Sequence, residues 1–235
     1  MPYYYYGFDW TYIYIVLPCL LLAMFASAKV NSTFKRYSKQ ISTRGITGRE
    51  AAMRVLRANG VANVSIERVA GNLTDHYDPK ANVIRLSAPV YDSASTAAIG
   101  VACHEAGHAV QYAENYAPIK LRAAIIPVTN IGSKLALPLI LLGVLFGSSY
   151  TLVYLGIAMF ALSLVFQLVT LPVEFNASRR AMQAIEDTEI LSDQELTGAR
   201  KTLTAAAMTY VAAVVVSAAQ LLRLILLFGG RRRNN

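Results

Sequence analysis

Hydrophobic positions along this chain fall into long blocks separated by segments of mixed pattern. Trp10 to Ala28 carries no charged residue, Ala123 to Gly147 carries only Lys134, Tyr150 to Val173 carries none, and Leu203 to Gly230 carries only Arg223. Each block reaches the roughly 20 residues that a helix needs to cross a hydrocarbon core. The pattern therefore predicts membrane helices at 10–28, 123–147, 150–171 and 203–228. Between the first two blocks the periodicity changes. Thr47-Gly48-Arg49-Glu50 reads as a capping box, with Ala52, Val55, Leu56 and Val61 on the buried side of the helix it opens. Asn59-Gly60 supplies the stop. Val64 to Val69 alternates and reads as a strand, as does Asn82 to Ser87 beyond the Asp78-Pro79 turn. Ser93 or Ser95 can cap a further helix that runs to about Glu114. The expected fold class is a mainly α integral membrane protein with a small α/β domain at 29–122.

Composition agrees with the blocks. Of 235 residues, 55% are hydrophobic and 15% charged, which is apolar for a soluble domain. The formal charge of +8 would suit nucleic acid, but Lys and Arg flank the apolar blocks, where they set topology and meet anionic lipid head groups. No nucleic-acid motif accompanies them, and no nucleic-acid partner is expected. Ala26-Ser27-Ala28 resembles a signal-peptide cleavage site, yet the positive charges (Lys29, Lys35, Arg36, Lys39, Arg44) follow the block instead of preceding it. That order predicts an uncleaved anchor with its N-terminus outside and residues 29–122 in the cytoplasm. Tyr3 to Tyr6, Phe8 and Trp10 would form an aromatic belt at the outer interface. The last block is in conflict with this topology: four spans place Arg231 to Arg233 outside, against the positive-inside tendency. Ala205, Ala212 and Ala219 nevertheless favour close helix packing there, and Arg223 could snorkel from near one end. The alternative keeps the arginines inside, with the first half of the block on the cytoplasmic domain and the second half in the interface. Cys19 and Cys103 lie in an apparent span and in a predicted helix, so no disulfide is expected.

Chemistry concentrates at His104-Glu105-Ala106-Gly107-His108, which holds two of the chain's three histidines. Histidines at i and i+4 share one helical face and can reach one ion, and imidazole suits zinc. A carboxylate beside the first ligand can take a proton from a water that the ion activates. Because Gly147-Ser148-Ser149 is a short link, the second and third blocks read as a hairpin that returns the chain to its starting face. Glu174 then emerges on the side of His104 and His108, in the segment 172–202. From spacing alone it is either a third ligand or the partner of Arg179 or Arg180.

These motifs resemble the YugP-like neutral zinc metallopeptidases of bacterial membranes over nearly the whole length. The resemblance is carried by Tyr3 to Asp9, by Leu73-Thr74-Asp75-His76-Tyr77-Asp78-Pro79, by His104 to Ala109 and by Leu171 to Arg180. The layout is also similar to HtpX-like and CAAX prenyl proteases, in which a glutamate beyond membrane helices follows H-E-x-x-H. The resemblance implies a zincin-like domain, one Zn2+ held by His104, His108 and Glu174, and Glu105 as general base of peptide hydrolysis. It implies a multi-pass location in a bacterial cell membrane; the charge step puts the active site on the cytoplasmic side, and a site at a membrane face favours membrane or membrane-proximal proteins as substrates. The HtpX-like aspartate four residues beyond the glutamate is Ser178 here. Another group is then expected to orient a ligand histidine, with Asn176 and Arg179 as candidates. His76 or Tyr77 could donate to the carbonyl oxyanion, although a plain turn stabilised by Asp75, Asp78 and Pro79 is the preferred reading. A substrate strand is expected along the edge of Asn82 to Ser87. The alternative function is a zinc-bound membrane scaffold without proteolysis, which would need the ligands but not Glu105. No residue names an oligomer or a protein partner.

Overall fold

The computed structural model describes residues 9–146 and 150–229. Tyr3 to Tyr6, Phe8, the Gly147-Ser148-Ser149 link and Arg231 to Arg233 lie outside the described residues. The order of elements is α1 (Leu17–Tyr37, preceded by a π-helical turn at Tyr12–Val16), α2 (Gly48–Ala58), β1 (Ser65–Val69), β2 (His76–Asp78), β3 (Val83–Ser87), α3 (Ala88–Tyr91), α4 (Thr96–Ala113), α5 (Ala117–Leu145), α6 (Tyr150–Asp187) and α7 (Asp193–Gly229). Among the described residues four helices are long and apolar enough to cross a membrane: Tyr12–Tyr37, Ala117–Leu145, Tyr150–Asp187 and Asp193–Gly229. They overrun the expected blocks. Residues 172–202, expected as a separate segment, are the end of α6, a turn and the start of α7.

The chain divides into two compact units, and the boundaries fall inside these helices. One unit comprises residues 1–26, 121–171 and 209–235. Its core is Ile140, Val153, Ile157 and Leu224, with Phe160, Leu221 and Phe228 packed against it. Helices α5 and α6 approach closely at Gly156, where an added Cβ would come within 2.7 Å of the Ala136 carbonyl oxygen. Ala212 and Ala219 of α7 are buried, in keeping with the small-residue packing expected of the last block. Arg223 does not simply snorkel, because its guanidinium pairs with Asp9 and lies over the Tyr12 ring at 5.3 Å. Leu137, Leu141 and Leu145 turn outward and are exposed. Pro127 and Pro138 sit inside α5, a placement that membrane helices tolerate better than soluble ones.

The other unit comprises residues 27–120 and 172–208. Its core joins Val55 and Leu56 of α2, Ile84 and Leu86 of β3, Ile99 and Val110 of α4, and Ile185 of α6. The capping box is complete: Thr47 accepts from the Glu50 amide, and Glu50 accepts from the Thr47 amide at 2.8 Å. Of the two candidate caps for α4, Ser95 is the one used, accepting from the Ala98 amide at 3.3 Å. The three strands lie in the order β1-β3-β2, parallel between β1 and β3 and antiparallel between β2 and β3. Two expectations change here. His76 to Asp78, read as a turn, pairs as a short strand, and the turn proper begins where the Asp78 carboxylate accepts the Lys80 and Ala81 amides. β3 is the central strand, paired with β1 along Val83 to Ser87 and with β2 at Val83 to Arg85, so most of it is closed to a substrate strand. Among the described residues the sheet edge beside α4 is β2, whose Tyr77 ring lies 5.6 Å from that of Tyr112.

Candidate metal centre

The site is built on α4. One helical turn separates His104 from His108, and their ring centroids stand 4.7 Å apart at an interplanar angle of 80°. Between them lies Gly107, and its hydrogen side chain is what allows α6 to come in. A Cβ there would approach the Ala177 carbonyl oxygen to 2.8 Å. With α6 seated this closely, Glu174 projects onto the histidines. Its Oε2 is 3.2 Å from His104 Nε2 and 3.5 Å from His108 Nε2. One ligand atom from each of the three residues falls within 4.8 Å of the others. Among the described residues this is the group of His, Cys, Asp or Glu side chains that could hold a metal.

The donor chemistry fits zinc. Two imidazole nitrogens and one carboxylate oxygen converge, the three-ligand set of catalytic sites that keep a position open. Glu174 is 3% exposed, so its carboxylate is committed to this cluster and not to bulk water. The field favours a cation. Burial alone would depress the His108 pKa, yet the Glu174 and Glu105 carboxylates, with Gln111, raise it above the ordinary value. Cys103 is not part of this group; its thiol is fully buried, and desolvation pushes its pKa up.

Glu105 follows His104 on α4 and is largely buried. Its charge is felt by His108 and by Asp75. Asp75 does not stabilise the turn as expected. It reaches instead to the end of β3, accepting the Ser87 amide at 2.7 Å and the Ser87 hydroxyl at 3.0 Å. Tyr77 donates its hydroxyl to Asn82 Oδ1 at 2.6 Å, and His76 is exposed with Nδ1 2.8 Å from the Thr74 carbonyl oxygen.

The groups behind the histidines differ from those expected. Ser178, treated as the lost aspartate, itself touches His104, Oγ to Nδ1 at 3.1 Å. Asn176 acts one residue removed, accepting from Gln111 at 2.9 Å and from Arg180 at 2.8 Å. Arg179 is exposed, and Arg180 pairs with Glu114 at 2.7 Å. Gln111, against His108 Nδ1 at 3.0 Å, was missed by the sequence reading. The available signal was its spacing: three residues after His108, it shares that histidine's face in a run of small and apolar residues.

Comparison with known proteins places the chain in a family. Residues 12–229 match the family model described as "Putative neutral zinc metallopeptidase". The chain belongs to that family. It is similar to the "Putative membrane protease YugP" of Bacillus subtilis (strain 168), 48% identical over 201 residues that cover 86% of this chain and 89% of the relative. No solved structure matches.

Proposed function

We propose that the chain is a zinc-dependent endopeptidase of the bacterial cell membrane, with its active site on the cytoplasmic side and membrane or membrane-proximal proteins as substrates. The observation that carries this reading is the convergence of His104, His108 and Glu174 beside Glu105. Zinc held by these three residues would bring the pKa of a water towards about 7 and polarise a scissile carbonyl. Glu105 accepts the proton of the attacking water on its carboxylate and returns it to the leaving amine. Burial suits it to this role by keeping competing solvent away from the carboxylate. The substrate backbone pairs along β2, the open edge beside α4, which gives main-chain recognition with little demand on sequence. Its three residues limit the pairing to a short stretch, so position relative to the membrane, more than sequence, selects the bond.

The test is cleavage of an unfolded protein by the purified chain, with zinc and with a chelator. Activity is expected with the metal and not without it. Glu105→Gln is expected to keep zinc and fold while losing about 10²- to 10⁴-fold in turnover. Turnover near wild type in that variant removes Glu105 from the mechanism.

A further inference from the structure

Gln111 is wholly buried, and each of its amide atoms is engaged. Nε2 lies 2.9 Å from the Val173 carbonyl oxygen and 2.9 Å from Asn176 Oδ1, while Oε1 lies 3.0 Å from His108 Nδ1. The orientation of this amide follows from its neighbours. A backbone carbonyl only accepts, so the atom facing Val173 must be the nitrogen. Asn176 is fixed in the same way, because Arg180 Nε, which only donates, holds its Oδ1 at 2.8 Å. The Gln111 oxygen therefore faces His108, and it too can only accept. Nδ1 of His108 must then carry a hydrogen. A neutral imidazole has one such hydrogen, which leaves the Nε2 lone pair bare on the side of Glu174, 3.5 Å away.

His104 has no such constraint at Nδ1, because the Ser178 hydroxyl there can donate or accept; what bears on its tautomer is the Glu174 carboxylate, 3.2 Å from its Nε2. We propose that Gln111 is a positioning residue that commits His108, before a metal arrives, to the tautomer whose Nε2 can ligate. The proposal rests on the reading of His108 as a zinc ligand, but the tautomer itself can be read without metal or activity. The two possible failures are thus separable.

The experiment is nitrogen-15 NMR of the full-length, histidine-labelled protein in lipid bilayers, stripped of metal and under alkaline conditions that leave the rings neutral. Three histidines keep the spectrum simple, and His108 is assigned by its loss in His108→Asn. The wild type is expected to show His108 with its hydrogen on Nδ1. Gln111→Leu, of similar volume but without an acceptor, is expected to move that hydrogen to Nε2 and to raise the zinc dissociation constant about 10- to 100-fold. Gln111→Glu keeps an acceptor opposite Nδ1 and is expected to retain the wild-type tautomer. A merely structural role ranks these variants the other way, since an apolar side chain suits a buried site better than a carboxylate facing the Val173 carbonyl. A wild-type His108 carrying its hydrogen on Nε2 overturns the proposal, and this result needs no variant to fold. So does a Gln111→Leu protein with unchanged tautomer and zinc affinity. The expected tautomer in a chain that binds no zinc would remove the peptidase reading and leave the role of Gln111 in setting the ring.

Discussion

Two aspartates beside the same strand respond to their surroundings in opposite directions. Asp78 is held down at about 2 by hydrogen bonds from Arg85 and from the Ala81 and Lys80 amides. Asp75 is pushed up by burial, which outweighs its bonds to Ser87, and the charge of Glu105 adds to the rise. A carboxyl whose folded pKa is lowered stabilises above its unfolded value of about 4 and loses that contribution as pH falls. For Asp78 that window runs from about 4 down to about 2. For Asp75 the sign reverses, and stability declines as pH rises from about 4 through its raised folded value. Asp75→Asn keeps an oxygen for Ser87 and cannot ionise. It is expected to melt higher than wild type at neutral pH and no higher in acid. Thermal unfolding across that range decides, and a lower melting point at neutral pH would sink the assignment. Glu174→Ala is expected to abolish tight zinc binding, measured by metal analysis after dialysis, and full occupancy would remove it as a ligand. At this scale the His104–His108 pair was legible because its chemistry and spacing are unusual, whereas spacing alone left Glu174 open between a ligand and an arginine partner. Gln111 and Ser178 were not legible, since an ordinary polar residue gains meaning only from the ring nitrogen it happens to face.

Among elements, the pair α4 and α6 decides whether there is a site at all. Gly107 lets the two helices meet, with an added Cβ only 2.8 Å from the Ala177 carbonyl oxygen. Gly107→Ala removes no ligand, yet it must push α6 outward and carry Glu174 with it. Overpacking of this kind costs about 1–3 kcal/mol. Zinc affinity is expected to fall together with stability, whereas Gly156→Ala, which crowds Ile140 and Ala136 instead, is expected to lower stability alone. Competition with a chromogenic chelator separates the two, and equal zinc affinity in both variants would refute the argument. The α4 helix, the capping box of α2 and strands β1 and β3 were visible in periodicity, because each repeats its signal over a turn or more. β2 is three residues long, and His76 and Asp78 are ordinary turn residues. Its pairing comes from β3 and not from its own sequence. The expected boundary between 171 and 172 likewise does not exist, since α6 runs through Pro172 to Asp187.

For the molecule as a whole, the charge step after the first apolar block predicts that the N-terminus is outside and residues 29–122 are cytoplasmic. Cysteines introduced near Lys39 are expected to react with a membrane-impermeant reagent only after the cell is opened. Labelling in intact cells would overturn the topology and the proposed compartment together. The fourth block was ambiguous in sequence because its flanking arginines oppose its hydrophobicity. The fold gives it an unbroken helix from Asp193 to Gly229, and the Asp9–Arg223 pair joins it to the start of the first apolar segment. The distance along the chain between His104 and Glu174, 70 residues, has a consequence for biosynthesis. During translation the histidine pair leaves the ribosome long before its carboxylate does, and the two apolar stretches between them must be made first. A nascent chain thus carries the histidine pair without its carboxylate until the central hairpin exists, so the candidate metal centre is assembled late, after both of the apolar helices between its parts have been made.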